Sequence, residues 1–509
     1  MDISILKSFS PEIFLSISIL FQLVFNARFV NNLKFNYPVI DREIFFQTFF
    51  IVVCLIMLLI NLKIEGFLSN FLFVNDEGGK IVKIFVVISC LLVLNILIKA
   101  FSLQSLNFFE FFTIFLLSLL SLLLLISSSD LISFYLTIEM QALCFYILAT
   151  FKRNSAFSTE AGLKYFISGS FISGIFLFGA SLIYGCLGTL NLNNISLLLS
   201  FSFLDMNKEF SSVLLIGIVM VTSTLLFKVA CAPFHFWSPD VYEGSPLVST
   251  IVFSIIPKVS LFFFFIRWIS ALNILFLDLN NVLLVLGIFS TFVGTFFALN
   301  QIRLKKLIIY SSIAQVGFIV AGLSVNNLGG FSAVYFFLII YILTSILIWG
   351  HFTMFYSFQE KINLFYSKES TVLFISSLSN FFKNNSLWSF SFIVVFFSVA
   401  GIPPLTGFLS KILILYELVD SNKILGSIVL IIISSVSVYY YIRMIKIVFF
   451  EPKKIKKDLE KFQTIFLDFY SDGIHLVFAT CLFIILISFF CPTSILLACQ
   501  YVVLNTLIF

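Results

Sequence analysis

An all-α polytopic membrane protein of about fourteen transmembrane helices is the fold class this sequence predicts. Three observations predict it. Hydrophobic residues make up 60 % of the chain and charged residues 11 %, where ordinary soluble domains carry about 25 % charge. The mean hydropathy is +1.12. Apolar runs of about 20 residues, the length a bilayer-crossing helix needs, recur along the whole chain; a β-barrel would show alternating segments of about ten residues instead.

In order, the runs predict spans at 11–30, 44–62, 81–99, 107–127, 131–150, 162–187, 211–232, 246–269, 280–299, 307–325, 329–351, 387–419, 424–447 and 474–499. The run 387–419 is too long for one straight helix, and "AGIPPLTG" (400–407) interrupts it, so a break is expected there. Loops after odd-numbered spans carry Arg28, Lys34, Arg42, Lys152, Arg153, Arg303, Lys305, Lys306, Lys361, Lys368, Lys383 and "PKKIKK" (452–457). Loops after even-numbered spans hold only Lys63, Lys80, Lys208 and Lys423. The positive-inside rule puts the basic loops on the cytoplasm-like (matrix) side and both termini on the opposite face.

The net charge of +5 is small and supports no nucleic-acid partner. The eight cysteines are scattered through apolar segments without a C-x-x-C, so they read as small apolar fillers. Seventy Phe with few Gly and Pro point to an AT-rich, organellar-type genome. The first span begins near Pro11, and no cleavable targeting segment is evident.

The chain reads as two-fold. Spans four to eight carry Glu139, Lys228 and Lys258, with a proline break after Lys228; spans nine to thirteen carry the pair Lys305–Lys306, and Lys411 beside its own proline break. Repeats of five spans must be inverted, and inverted repeats with broken helices are a recurring transporter plan. The expected division is 1–106 (helices 1–3), 107–270 and 271–450 (the two halves), and 451–509 (basic loop and last helix).

Glu139, Lys228, Lys258 and Lys411 lie inside or beside apolar runs. A charge at mid-bilayer costs about 2.5–3.5 kcal/mol on insertion scales, so such residues normally face a polar interior and pair. Their physical use is proton handling. Desolvation favours a neutral lysine, and a nearby carboxylate holds it charged. A row Glu139–Lys228–Lys258–Lys411 can pass protons laterally if helix breaks admit water. Each has a plainer reading: Lys228 snorkels, Lys258 makes a structural salt bridge, Glu139 is a structural partner, and Lys411 caps a helix end.

Weaker candidates follow. His235, after Pro233, is a proton shuttle or a satisfied structural histidine. Glu160 and Lys164 are spaced as an interfacial i,i+4 pair. Asp240 and Glu243 read as shaping the loop after the seventh span, and Lys305 and Lys306 as weaker relay members or topology signals. His235, His351 and His475 form no haem-ligand set, and there is no iron–sulfur spacing and no dinucleotide fingerprint. "NDEGGK" (75–80) reads as a loop.

Several stretches carry a family resemblance: "LLISSSDLISFYLTIEMQALCFYILATFKRNSAFSTEAGLKYFISGSFISGIFLFGASLIYG", "LLFKVACAPFHFWSPDVYEGSP", "LKKLIIYSSIAQVGF" and "SVAGIPPLTGFLSKILILY". The chain resembles the antiporter-like, proton-pumping chain 2 (bacterial subunit N) family of NADH–ubiquinone oxidoreductase, respiratory complex I. The resemblance spans nearly all of 107–450. It implies fourteen spans with broken seventh and twelfth helices, and assigns proton-path roles to Glu139, Lys228, Lys258, Lys411 and the pair Lys305–Lys306. It implies no cofactor in this chain, with NAD, FMN, iron–sulfur clusters and ubiquinone held elsewhere in the complex. The implied partners are other membrane subunits of the complex, neighbouring antiporter-like subunits among them, and lipids. The implied location is the mitochondrial inner membrane, or a bacterial plasma membrane. One departure stands out: relatives often carry histidine where this chain has Gln315, and glutamine cannot titrate. The stretch 358–386 also looks longer than in compact relatives. Two other functions remain open at this point: a subunit of a multisubunit cation/proton antiporter, and a membrane scaffold without a transport path.

Overall fold

The computed structural model describes residues 7–29, 38–68, 72–104, 110–202, 208–272, 276–366, 374–375, 386–450 and 472–507. The predicted loop charges Lys34, Lys368, Lys383 and 452–457 lie outside them. The helices in chain order are α1 Ser10–Phe29, α2 Pro38–Ile60, α3 Glu77–Gln104, α4 Glu110–Ser127, α5 Leu131–Ala149, α6 Ala156–Leu187 and α7 Leu192–Ser202. Next come α8 Lys208–Val229, α9 Trp237–Gly244, α10 Leu247–Ile255, α11 Pro257–Ala271, α12 Phe276–Leu299 and α13 Leu304–Leu323. The last are α14 Leu328–Tyr366, α15 Ser386–Ala400, α16 Thr406–Asp420, α17 Ile424–Phe450, α18 Asp472–Phe490 and α19 Thr493–Leu507. A short hairpin, β1 Gly66–Leu68 and β2 Phe73–Asn75, pairs antiparallel between α2 and α3.

The polytopic all-α expectation holds: among the described residues, thirteen stretches are long and apolar enough to cross a membrane. Four details differ from the sequence reading. The fourteenth span is not one helix over 474–499; α18 stops at Phe490 and α19 starts at Thr493, because Pro492 between them offers no N–H. The "NDEGGK" stretch is a strand-to-helix junction, where the Asp76 carboxylate accepts from the Gly79 N–H at 3.2 Å and caps α3. Helix α7 and the hairpin are additions. Helix α14 runs on to Tyr366, so the start of the 358–386 stretch is helical.

Helices α10 and α11 are predominantly apolar and are buried throughout except at Ser270, which is partly covered. They are central to the molecule, against α3, α5 and α14. Peripheral α6 keeps only its Gly- and Ala-lined stripe inward and turns Leu163, Ile167 and Phe171 outward, where lipid acyl chains would cover them. Helices α12 and α13 approach so closely that a Cβ on Gly294 would sit 2.5 Å from the Ala314 backbone nitrogen. Small residues permit this contact, the usual device of membrane helix pairs.

The two proline breaks share one backbone design. After α8, the Ala230 N–H donates to the Phe227 carbonyl and the Cys231 N–H to the Leu226 carbonyl, both at 2.9 Å, with Ala230 at φ 64°. After α15, the Gly401 N–H donates to the Ser398 carbonyl and the Ile402 N–H to the Phe397 carbonyl, both at 3.1 Å, with Gly401 at φ 81°. Each is a Schellman ending, with a 6→1 and a 5→2 bond closed by a left-handed residue. Pro233 and Pro404 follow three residues after that residue in each case. In this register Lys228 and Val399 occupy the same place.

Candidate functional site

Asp130 starts α5: its side chain accepts from the Ile132 N–H at 2.9 Å, and Ser133 completes the capping box. Glu139 follows on this helix, two and a half turns in. Its carboxylate stands 3.9 Å from the Lys228 ammonium, with side chains only 23 % and 12 % exposed. That gap is an ion pair without a direct hydrogen bond, and Glu139 Oε1 is buried with no hydrogen-bond partner. Lys228 lies in the last turn of α8, ahead of the Schellman ending, with its side chain largely covered.

Lys258 sits at a third interruption, not in mid-helix as the sequence reading has it. Pro257 parts α10 from α11. Proline has no N–H for the carbonyl four residues back, which is that of Phe253. The Tyr242 hydroxyl takes that carbonyl at 3.4 Å. The neighbouring Ser254 carbonyl accepts the Tyr341 hydroxyl at 3.2 Å. Lys258 Nζ donates to Tyr341 Oη and lies 4.4 Å above its ring. A salt bridge for Lys258 is absent among the described residues, so its ammonium is held by a hydroxyl and a π face rather than by a carboxylate.

Lys411, in α16, bends back to the end of α15. Its ammonium donates to the Val399 carbonyl at 3.1 Å and the Ala400 carbonyl at 2.8 Å. A broken helix leaves such carbonyls unpaired, so Lys411 caps the break and lies 5.6 Å over the Phe318 ring. Of the four predicted residues, therefore, one pair stands at ion-pair distance and two lysines rest on uncharged partners.

Three small recesses lie along part of the row, bordered by Glu139 and Lys228 but not by Lys258 or Lys411. One is lined by Glu139, Ser173 and Lys228. The next is lined by Lys228, Gln141, Tyr242 and Pro257. A third is lined by Tyr242, Ser254, Ser312, Gln315 and Tyr341. Lys228 is common to the first two and Tyr242 to the last two. Gln315 and Phe318 are one turn apart on α13, and the Lys411 ammonium lies over the Phe318 ring.

The weaker candidates separate. His235 lies in the link after the α8 break, buried against Phe236 at a ring distance of 4.5 Å. Burial holds its imidazole below the ordinary histidine range, with a Pro233 backbone hydrogen bond opposing. Lys305 donates to the Ser245 carbonyl at 3.1 Å. Lys306 pairs with Glu243 at 2.9 Å and Asp240 at 3.9 Å, and Arg303 pairs with Glu243 at 2.6 Å. Lys164 bridges Glu160 at 2.7 Å and Asp240 at 3.5 Å. Asp240 and Glu243 thus do more than shape a loop: they lie on α9 and clamp it to α6 and to the start of α13.

Sequence reasoning passed over two buried pairs. Arg267 meets Asp76 at 2.5 Å, and Lys83 meets Glu12 at 2.5 Å. Arg267 in "FFFFIRWIS" and Lys83 in "GGKIVKIFVV" are charges within apolar runs, the same signal that singled out Lys258. Among the described residues, no group of three His, Cys, Asp or Glu side chains is placed to hold a metal ion.

Residues 128–439 match the model of a family described as NADH:quinone oxidoreductase/Mrp antiporter, TM. The NADH-ubiquinone oxidoreductase chain 2 of Marchantia polymorpha is 32 % identical over 447 residues, covering 87 % of this chain and 88 % of that one. A chain of respiratory complex I from Thermus thermophilus superposes with a TM-score of 0.75 at 23 % identity, over 96 % of this chain and 98 % of that one. A chain of the Mrp complex from Dietzia sp. superposes with a TM-score of 0.79 at 16 % identity, over 98 % and 97 %.

Proposed function

We propose, from the premise that this chain belongs to the NADH:quinone oxidoreductase/Mrp antiporter family of membrane subunits, that it moves protons along the row Glu139–Lys228–Lys258–Lys411. It is an antiporter-like membrane subunit of the chain 2, or subunit N, kind. The observation that carries the proton reading is the Glu139–Lys228 pair, partly buried, separated by 3.9 Å and placed beside a helix break.

The physical argument is a switch. With the carboxylate near, Coulomb attraction offsets desolvation and Lys228 stays charged. A small displacement of α5 against α8 weakens that attraction, and Lys228 releases its proton toward the Tyr242 recess. Lys258 and Lys411 accept it in turn, each poised beside neutral partners that do not lock the charge in place. Lys305 and His235 are weaker members, and Lys306 serves the α9 clamp. Oxidation of NADH and reduction of ubiquinone, with the NAD, FMN and iron–sulfur chemistry, belong in this reading to other subunits. Their free energy reaches this chain by displacing the Glu139 side of the switch. The partners are other membrane subunits of that complex, and the Phe-rich composition favours the mitochondrial inner membrane over a bacterial plasma membrane.

The fold alone fits an Mrp-type antiporter equally well. The 32 % identity to a chain 2 protein along nearly the whole length favours the complex I reading. The test is to extract native membranes in mild detergent, separate complexes by size, locate this chain by mass spectrometry and stain the same lanes for NADH oxidation. Co-migration with a very large NADH-oxidising assembly is expected. Migration in a smaller assembly without that activity overturns the reading.

A further inference from the structure

We propose that the Tyr341 hydroxyl is a proton-passing group, linking Lys258 to the recess beside Gln315. The proposal rests on the proton-relay reading above and adds a residue to it.

Three observations carry it. First, Tyr341 Oη is both acceptor and donor: it accepts from Lys258 Nζ and donates to the Ser254 carbonyl at 3.2 Å. Second, the side chain is 3 % exposed and, besides meeting Lys258, lines a recess that Gln315, Ser311 and Ser312 also border. Third, Lys258 has no carboxylate in an ion pair among the described residues, so its proton has no charged neighbour to leave toward. Gln315 orients water with its amide but cannot take the proton itself.

The transfer balances without a phenolate. The Tyr341 hydroxyl turns from the Ser254 carbonyl toward a water held by Gln315. A Lys258 N–H bond breaks as a new O–H bond forms on Tyr341. The original Tyr341 O–H bond breaks in the same event, and its proton joins the water. Lys258 is left neutral, the water carries the charge, and Tyr341 is again a phenol.

The plainer alternative is a prop: Tyr341 only satisfies the Ser254 carbonyl and the lysine. Tyr341→Gln separates the two. Its amide N–H can hold the carbonyl and its amide oxygen can accept from Lys258, yet it does not pass a proton. In sealed membranes containing the assembled complex, protons translocated per NADH are measured for Tyr341→Gln, Tyr341→His and Lys228→Arg. The NADH oxidation rate with uncoupler is recorded alongside. The proposal expects Tyr341→Gln to fall to the level of Lys228→Arg, and Tyr341→His, which can relay, to recover at least half of the loss. Uncoupled oxidation stays within twofold of the unaltered complex. Full stoichiometry in Tyr341→Gln with a loss in Lys228→Arg overturns the role of Tyr341 and leaves the relay standing. Full stoichiometry in both overturns the relay itself. Tyr341→Phe, which keeps the ring over Lys258, carries the same reading if the Gln chain does not assemble.

Discussion

Lys411 donates to the carbonyl of Val399, and Val399 holds the place in the second helix break that Lys228 holds in the first. The two breaks therefore share a backbone ending but place their lysines differently. In the first, the lysine projects from the broken helix and meets a carboxylate. In the second, it reaches back from beyond the break and caps it. The same ending has two electrostatic settings: one lysine faces a carboxylate, the other backbone carbonyls.

Lys411→Met leaves the Val399 and Ala400 carbonyls without their donor. An unsatisfied buried polar group costs about 1–3 kcal/mol. The altered complex should assemble in reduced amount and lose heat stability, and pumping per assembled complex should also fall. Native gels followed by thermal inactivation of NADH oxidation measure the first two; vesicle acidification measures the third.

Glu139→Gln keeps the shape of the pair and removes its attraction. Lys228 then lacks the group that holds its proton. Assembly should be near normal, because the pair is partly exposed and makes no direct hydrogen bond, while protons per NADH should drop. Glu139→Asp, with its longer gap, should give an intermediate loss. Quinone-dependent acidification of sealed vesicles distinguishes the three chains.

The clamp on α9 should respond to salt. Glu243 meets both Arg303 and Lys306, whereas Asp240 is half exposed. Exposed pairs contribute about 0–1 kcal/mol and are screened. Asp240→Asn should leave heat stability almost unchanged, and Glu243→Gln should lower it more at low ionic strength than at high. Inactivation half-lives across a salt series check this.

Arg267→Met strands the fully buried Asp76 carboxylate, which also caps α3. Breaking a buried pair from one side costs about 3–5 kcal/mol. The chain should largely fail to accumulate. Replacing both residues, Arg267→Met with Asp76→Asn, removes the stranded charge and keeps a capping side chain, and should restore much of the accumulated protein, read by immunoblot.

Much of this was legible in the sequence because membrane insertion leaves a coarse signal. Each helix needs a long apolar run, and each charge inside a run must have a reason. That logic reached the polytopic all-α fold, the α15–α16 break and the approach of Glu139 to Lys228. It missed the Pro257 interruption at Lys258, since one proline in an apolar run does not say which side chains will take the freed carbonyl; Tyr242 and Tyr341 come from different parts of the chain. It understated Lys306 and Glu243, because sixty-odd residues of chain hide an ion pair that the fold closes. Glu12–Lys83 and Arg267–Asp76 carried the same signal as Lys258 but lay outside the motifs that drew attention. The hairpin and α7 are too short for hydropathy to register.

The measurement that tests the central claim most directly is the number of protons translocated per NADH by the assembled complex carrying Lys228→Arg. Arginine keeps the charge and the ion pair with Glu139 but does not deprotonate in a protein. The relay predicts a normally assembled complex that oxidises NADH with uncoupler yet pumps fewer protons. An unchanged stoichiometry would show that Lys228 need not release its proton and would contradict the account.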